Sequence, residues 1–183
     1  MWTLPNILTL SRILVIPVLM IGFYMEQPLG SWIAAITFGF AAITDFFDGY
    51  LARSTDSVSK IGKFLDPIAD KLMVGAVIIL VVAFQKISGI HIVAAVIIMC
   101  RELLVSGLRE FLAGEQVSVP VSWVAKWKTT FQMISLGFLC WVPAGDALGF
   151  YAYEIGVTTL WISAVLTLYT GYDYLRAGLK HMV

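Results

Sequence analysis

Six apolar stretches of this chain carry no formally charged side chain: Ile13–Met25, Gln27–Thr44, Leu72–Gln85, Ile87–Cys100, Thr129–Gly145 and Ile155–Tyr172. A helix needs about 20 residues to cross the hydrocarbon of a bilayer. Each stretch is shorter than that, so each must extend into a charged segment at one end. Only 13% of the 183 residues are charged and 60% are hydrophobic, with a mean hydropathy of +0.89. A soluble domain carries roughly 25% charged residues. The composition excludes a disordered chain and argues against a soluble globular enzyme. A formal net charge of zero argues against a nucleic-acid binder, which would show a basic excess. Cys100 and Cys140 both lie in apolar runs and imply no disulfide framework.

The charges fall into groups that alternate along the chain. One set is Arg12, Asp45 to Lys71, Arg101 to Lys128 and Asp173 to Lys180; the other is Glu26, Lys86, Asp146 and Glu154. Six helices crossing in turn put the first set on one side of a membrane and the second on the other. Eleven of the 12 bases lie on the first side and only Lys86 on the second. The positive-inside rule then places the first side, with both termini, in the cytoplasm. The expected fold is all-α: a polytopic membrane protein of six transmembrane helices, forming a single domain over residues 1–183. The segment Trp2–Leu10 is expected to lie along the membrane surface before the first span. Pro17 is expected to bend that span. Trp32 and Trp141 fit the outer interface, and Trp123 and Trp127 the inner one. Ser54–Lys60 and Glu115–Ser118 read as short cytoplasmic loops.

Asp45, Asp48, Gly49, Ala52 and Arg53 fall at i, i+3, i+4, i+7 and i+8, one face of one helix. Gly62, Asp66 and Asp70 fall at i, i+4 and i+8 of the next. An eight-residue connection, Ser54–Ile61, makes the two helices antiparallel neighbours, so four carboxylates can converge at the cytoplasmic end of the pair. Asp45 lies about 12 Å along the helix from Arg53, at ~1.5 Å per residue, which puts the acids within the inner leaflet. Each carboxylate at membrane depth costs at least ~2–3 kcal/mol on insertion scales, so something positive must offset them. Arg53, Lys63 and Lys71 are local candidates. Hard divalent cations do it better: Mg²⁺ or Mn²⁺ prefers carboxylate oxygens and also binds substrate phosphates. Two such ions on Asp45, Asp48, Asp66 and Asp70 would suit phosphoryl transfer. Gly49 and Ala52 leave room beside the acids, and Arg53 offers a planar, multi-donor group for phosphate.

These residues also carry a family resemblance. The pattern D-x2-D-G-x2-A-R-x8-G-x3-D-x3-D is present at every fixed position, namely Asp45, Asp48, Gly49, Ala52, Arg53, Gly62, Asp66 and Asp70, eight positions over 26 residues. It resembles the signature of the CDP-alcohol phosphotransferase family. Pro5-Asn6-Ile-Leu-Thr9-Leu-Ser-Arg12, Leu65-Asp-Pro-Ile-Ala-Asp-Lys71, Arg101-Glu102 and Lys126-Trp-Lys128-Thr129 are similar to the bacterial, phosphatidylglycerophosphate-forming branch. The resemblance implies a homodimer of six-helix subunits in the bacterial inner membrane, with CDP-diacylglycerol as donor and Mg²⁺ or Mn²⁺ as cofactor. It implies Asp45, Asp48 and Asp66 as metal ligands and Asp70 as the base, also near a metal. Gly49, Ala52 and Arg53 would hold the cytidine and phosphate region. The acceptor implied is sn-glycerol-3-phosphate; another acceptor, such as phosphatidylglycerol in a cardiolipin synthase, is the alternative within the family. A divalent-cation transporter is the alternative outside it.

An anionic acceptor needs bases near the acids. Arg101, Arg109, Lys126 and Lys128 are the candidates. Arg101 and Arg109, eight apart, lie near one face, whereas Lys126 and Lys128, two apart, cannot share one. Glu102 competes for Arg101 as a salt-bridge partner. Asn6, Thr9 and Arg12 are weaker candidates for donor phosphate. His91 and His181 are lone histidines without a metal-like partner.

Overall fold

The computed structural model describes residues 4–55, 60–114 and 123–179. The described residues form helices and short turns, with no strand. The helices are α1 (Leu4–Tyr24), α2 (Leu29–Thr55), α3 (Lys60–Ala83), α4 (His91–Gly114), α5 (Trp123–Trp141), the single turn α6 (Ala144–Ala147) and α7 (Ala152–Leu179). The all-α expectation holds. Each apolar stretch does extend into its charged neighbour. α2 runs past Thr44 through the acidic segment to Thr55, α3 begins at Lys60, and α4 continues from Cys100 to Gly114.

Two expectations change. α1 is unbroken from Leu4, so residues 4–10 form its first turns rather than a separate surface segment. Pro5 sits in the first turn, where its missing N–H costs no intrahelical bond. The connection between α2 and α3 is also shorter than Ser54–Ile61, because both helices extend into it. Pro67 lies inside α3 and forfeits one i→i−4 bond there. The expected loop Glu115–Ser118 lies outside the described residues, as do residues 1–3.

The chain divides into two compact units. The first comprises residues 1–86 and 136–153. Within it α1 packs on both α2 and α3. The α1–α2 turn is close because glycines line it. A Cβ on Gly22 would lie 2.9 Å from the Ala34 nitrogen, and one on Gly30 would run into the Gly22 carbonyl. Aromatic rings fill the same end: Phe23 and Tyr24 meet Phe84, and Trp141 meets Trp32 and Phe150 at 5.2 and 5.4 Å between centroids.

The second unit comprises residues 87–135 and 154–183. Val105, Leu108 and Leu112 of α4 form its apolar cluster with Tyr174 of α7. Side-chain hydrogen bonds cross between its helices. Ser135 Oγ donates to the Gly156 carbonyl at 2.7 Å, Ser163 Oγ to the Lys128 carbonyl at 3.3 Å, and Trp161 Nε1 to His91 Nδ1 at 3.0 Å. Lys128, Gln132 and Ser135 of α5 and Ser163, Thr167 and Thr170 of α7 are all buried. Each set repeats at i, i+4 and i+7, so each helix contributes a polar stripe.

Large apolar side chains face outward along the long helices. Ile36, Phe40 and Ile43 of α2, Val93 and Val96 of α4, and Val165 and Leu168 of α7 are all exposed. His91–Gly114 and Ala152–Gly178 are long and apolar enough to cross a membrane, and Thr9–Tyr24 and Leu29–Asp45 are shorter apolar helical stretches.

Candidate active site

The site is built from α1, α2 and α3 of the first unit. α2 carries Asp45, Asp48, Gly49, Ala52 and Arg53, and α3 carries Gly62, Asp66 and Asp70, all in continuous helix. The helical register expected for the motif is therefore present. The side chains of Asp48, Ala52, Arg53 and Asp66, and the surroundings of Gly49 and Gly62, lie outside the described residues. Asp45 and Asp70 can be placed in full. Their carboxylates meet on Arg12 of α1. Arg12 Nη1 donates to Asp45 Oδ1 and also to Asp70 Oδ1, the latter at 2.6 Å. Three residues separated by 33 and 58 positions thus share one nitrogen atom.

The local sequence explains the convergence. Ala41 and Ala69 are fully buried, so small side chains let the carboxylate-bearing turns approach their neighbours. Thr44 is buried and donates its hydroxyl back to the carbonyls of Phe40 and Ala41, at 3.0 and 2.9 Å. It satisfies itself within α2 and leaves Asp45 to Arg12. Lys71 turns away from the acids and donates to the Pro67 carbonyl at 2.9 Å.

Sequence reasoning placed Arg12 only as a weak phosphate candidate. It is 0% exposed at its side chain, against 35% for Asp45 and 48% for Asp70. The signal for it was present: one basic residue in an otherwise uncharged segment, on the same side of the charge pattern as the acids. A buried arginine must find carboxylates, and these were within reach.

The second unit holds the other candidates. Arg101 Nη1 lies 3.4 Å from Glu102 Oε1, Arg101 Nη2 donates to Thr170 Oγ1 at 3.0 Å, and its guanidinium sits 5.6 Å from the centre of the Tyr174 ring. Lys128, almost fully buried, donates to the same Glu102 Oε1. Two cations therefore share one carboxylate. Gly171 leaves space for this, since a Cβ there would lie 3.1 Å from Arg101 Cγ. Arg101 Nε, Gln132 Oε1 and Thr167 Oγ1 are buried without a hydrogen-bond partner among the described residues. Arg109 and Lys126 are exposed and do not join this network. Of the two lysines that could not share a face, Lys128 points in and Lys126 points out.

Comparison with known proteins decides the family. The family model described as CDP-alcohol phosphatidyltransferase matches residues 2–169, which includes the whole motif. The chain belongs to the CDP-alcohol phosphatidyltransferase family. Among its relatives, a protein of Rickettsia bellii is 49% identical over 97% of this chain and 96% of its own length. One of Pectobacterium atrosepticum is 42% identical over 97% and 95%, and one of Cereibacter sphaeroides 37% identical over 99% and 97%. All three are named CDP-diacylglycerol–glycerol-3-phosphate 3-phosphatidyltransferase. The family match spans the three helices that bring Arg12, Asp45 and Asp70 together.

Proposed function

We propose that this member of the CDP-alcohol phosphatidyltransferase family transfers the phosphatidyl group of CDP-diacylglycerol to sn-glycerol-3-phosphate, giving phosphatidylglycerophosphate and CMP. One observation carries the reading from the structure. Two motif aspartates on different helices bring an oxygen each to a single cationic atom. Near-full-length relatives that bear this activity in their name supply the substrates.

Among the described residues no group of three or more His, Cys, Asp or Glu side chains forms a metal cluster. The donor chemistry nevertheless fits a hard divalent ion. Asp45 and Asp70 offer carboxylate oxygens, both are partly exposed, and the point between them already holds positive charge. Asp48 and Asp66 share their helix faces by register. Asp45, Asp48, Asp66 and Asp70 would hold Mg²⁺ or Mn²⁺, which neutralises the donor pyrophosphate when bound.

The acceptor hydroxyl attacks the lipid-side phosphorus, and the bond from that phosphorus to the CMP oxygen breaks. Asp70 takes the hydroxyl proton. Gly49, Ala52 and Arg53 hold the cytidine and phosphate region of the donor. The acceptor phosphate needs a base, and Arg101, Arg109, Lys126 and Lys128 are the candidates, of which Arg101 and Lys128 share Glu102. Positioning and electrostatics supply most of the catalysis in such transfers.

On this reading the protein resides in the bacterial inner membrane, with six spans and with both termini and the active site cytoplasmic. Two helices long enough to span support a membrane location, and the grouping of eleven of the 12 bases along the chain supports the orientation. We take the two compact units as one catalytic domain, since a single family match runs through both, and the functional form as a homodimer. The test is incorporation of labelled glycerol-3-phosphate into lipid by the purified protein, with CMP release followed in parallel. Incorporation should need both CDP-diacylglycerol and divalent metal. CMP release supported only by phosphatidylglycerol would reassign the acceptor. Cation flux into liposomes without CMP release would replace the enzyme with a transporter.

A further inference from the structure

Among the described residues, Arg12 is the cation that meets both carboxylates. It approaches from inside the protein, with no exposed side-chain surface, whereas Asp45 and Asp70 keep 35% and 48% of theirs open. A single nitrogen, Nη1, bridges one oxygen of each acid. A magnesium-sized ion bound by the same two oxygens would need nearly the same point, since it coordinates oxygen at about 2.0–2.1 Å. Two positive charges cannot share that point.

We propose that Arg12 is a built-in counter-cation whose bonds to Asp45 and Asp70 compete with the divalent metal. The inference rests on the metal-site reading above and adds a residue to it. Carboxylates at membrane depth must be neutralised in every state of the protein. Before metal binds, Arg12 does this. Afterwards it must release at least one acid. The arrangement would neutralise the acids whenever no metal is bound and would set a threshold on metal affinity. A guanidinium suits the task because its planar donors can hold two carboxylates at once while remaining charged at every working pH.

The alternative is that Arg12 merely holds the carboxylates in place for the metal. The two predict opposite signs. Competition predicts that removing Arg12 tightens metal binding; positioning predicts that it weakens binding. The experiment is direct titration of the full-length protein in detergent with Mn²⁺ alone, reading free Mn²⁺ by electron paramagnetic resonance. Arg12→Gln should bind Mn²⁺ roughly tenfold tighter than the wild type, the order expected from removing one charge beside a partly buried site. Without divalent metal it should unfold at lower temperature, and Mn²⁺ should raise its Tm by more than it raises that of the wild type. Arg12→Lys keeps the charge but loses the planar fork, so it should fall between the two; it also serves if Arg12→Gln does not fold. Binding by either variant that equals or is weaker than the wild type overturns the proposal. Failure of the underlying site looks different: the wild type would show no saturable Mn²⁺ binding, or Asp45→Asn and Asp70→Asn would leave it unchanged.

Discussion

Asp70 sits at the last position of the motif and is the more exposed of the two placed acids. A proton acceptor must be reachable by the hydroxyl it serves, and exposure permits this. Asp70→Asn keeps size and hydrogen-bonding shape but removes the basic oxygen. CMP release should fall by roughly 10²–10⁴-fold, the range for loss of a general base, while binding of CDP-diacylglycerol persists. Turnover within threefold of the wild type would remove Asp70 from the mechanism. A different residue reports on stability. Lys86 lies in the turn between α3 and α4, among Phe84, Val142 and Pro143 at a cavity of about 560 Å³. Burial pushes its pKa below the ordinary 10.5, although Asp146 pulls the other way. Between that depressed value and 10.5 the unfolded chain holds a proton that the folded chain has released. Stability therefore rises with pH across this window. Lys86→Met should flatten the rise, as measured by thermal unfolding in detergent at a series of alkaline pH values. An unchanged slope would assign the rise to other groups.

At the scale of the elements, the close turn between α1 and α2 depends on two glycines. Gly30→Ala would drive a methyl into the Gly22 carbonyl, backbone against backbone. It should cost roughly 1–3 kcal/mol, the usual penalty for overpacking, visible as a lowered Tm. An unaffected Tm would mean that the turn relaxes freely. In the second unit, Glu102 holds the buried Lys128 and the partly buried Arg101. Glu102→Gln leaves both uncompensated and should destabilise by roughly 3–5 kcal/mol, as expected for breaking a buried pair from one side. If Lys128 also grips the acceptor, Lys128→Gln should raise the KM for glycerol-3-phosphate well above the effect of Lys126→Gln. These elements show which parts were legible in the chain. The register of Asp45 to Arg53 was readable because a helix repeats every 3.6 residues and the chemistry is polar in an apolar background. Spacing showed that Lys126 and Lys128 must part company, but the buried one is fixed by Glu102 on another helix. Arg12 meets Asp45 and Asp70 across 33 and 58 residues, and no local pattern encodes such a pairing. The α6 turn follows Pro143 and spans only four residues, too few for a periodic signal.

For the whole molecule, the neutral net charge is an average over unlike groups of charges that alternate along the chain. In the proposed topology eleven of the 12 bases and nine of the 12 acids fall on the side that carries the motif; Lys86, Glu26, Asp146 and Glu154 fall on the other. Between these groups the helices present apolar side chains outward, such as Ile36, Phe40, Val96 and Val165. Exposed apolar surface of this extent is costly in water and natural in lipid. In the proposed arrangement a donor with acyl chains and a water-soluble acceptor would both reach a site near one membrane face. The proposed orientation rests on the bases alone, and it can be tested without any assay of turnover. In a background with Cys100 and Cys140 replaced by serine, Lys86→Cys and Arg109→Cys each introduce one thiol, on opposite sides of the charge pattern. An impermeant maleimide added to intact cells should label Lys86→Cys and spare Arg109→Cys. Permeabilising the inner membrane should make both react. Equal labelling of the two in intact cells would refute an odd number of crossings between α3 and the end of α4. The reverse pattern would turn the molecule over and place the aspartates away from the nucleotide pool that supplies the donor.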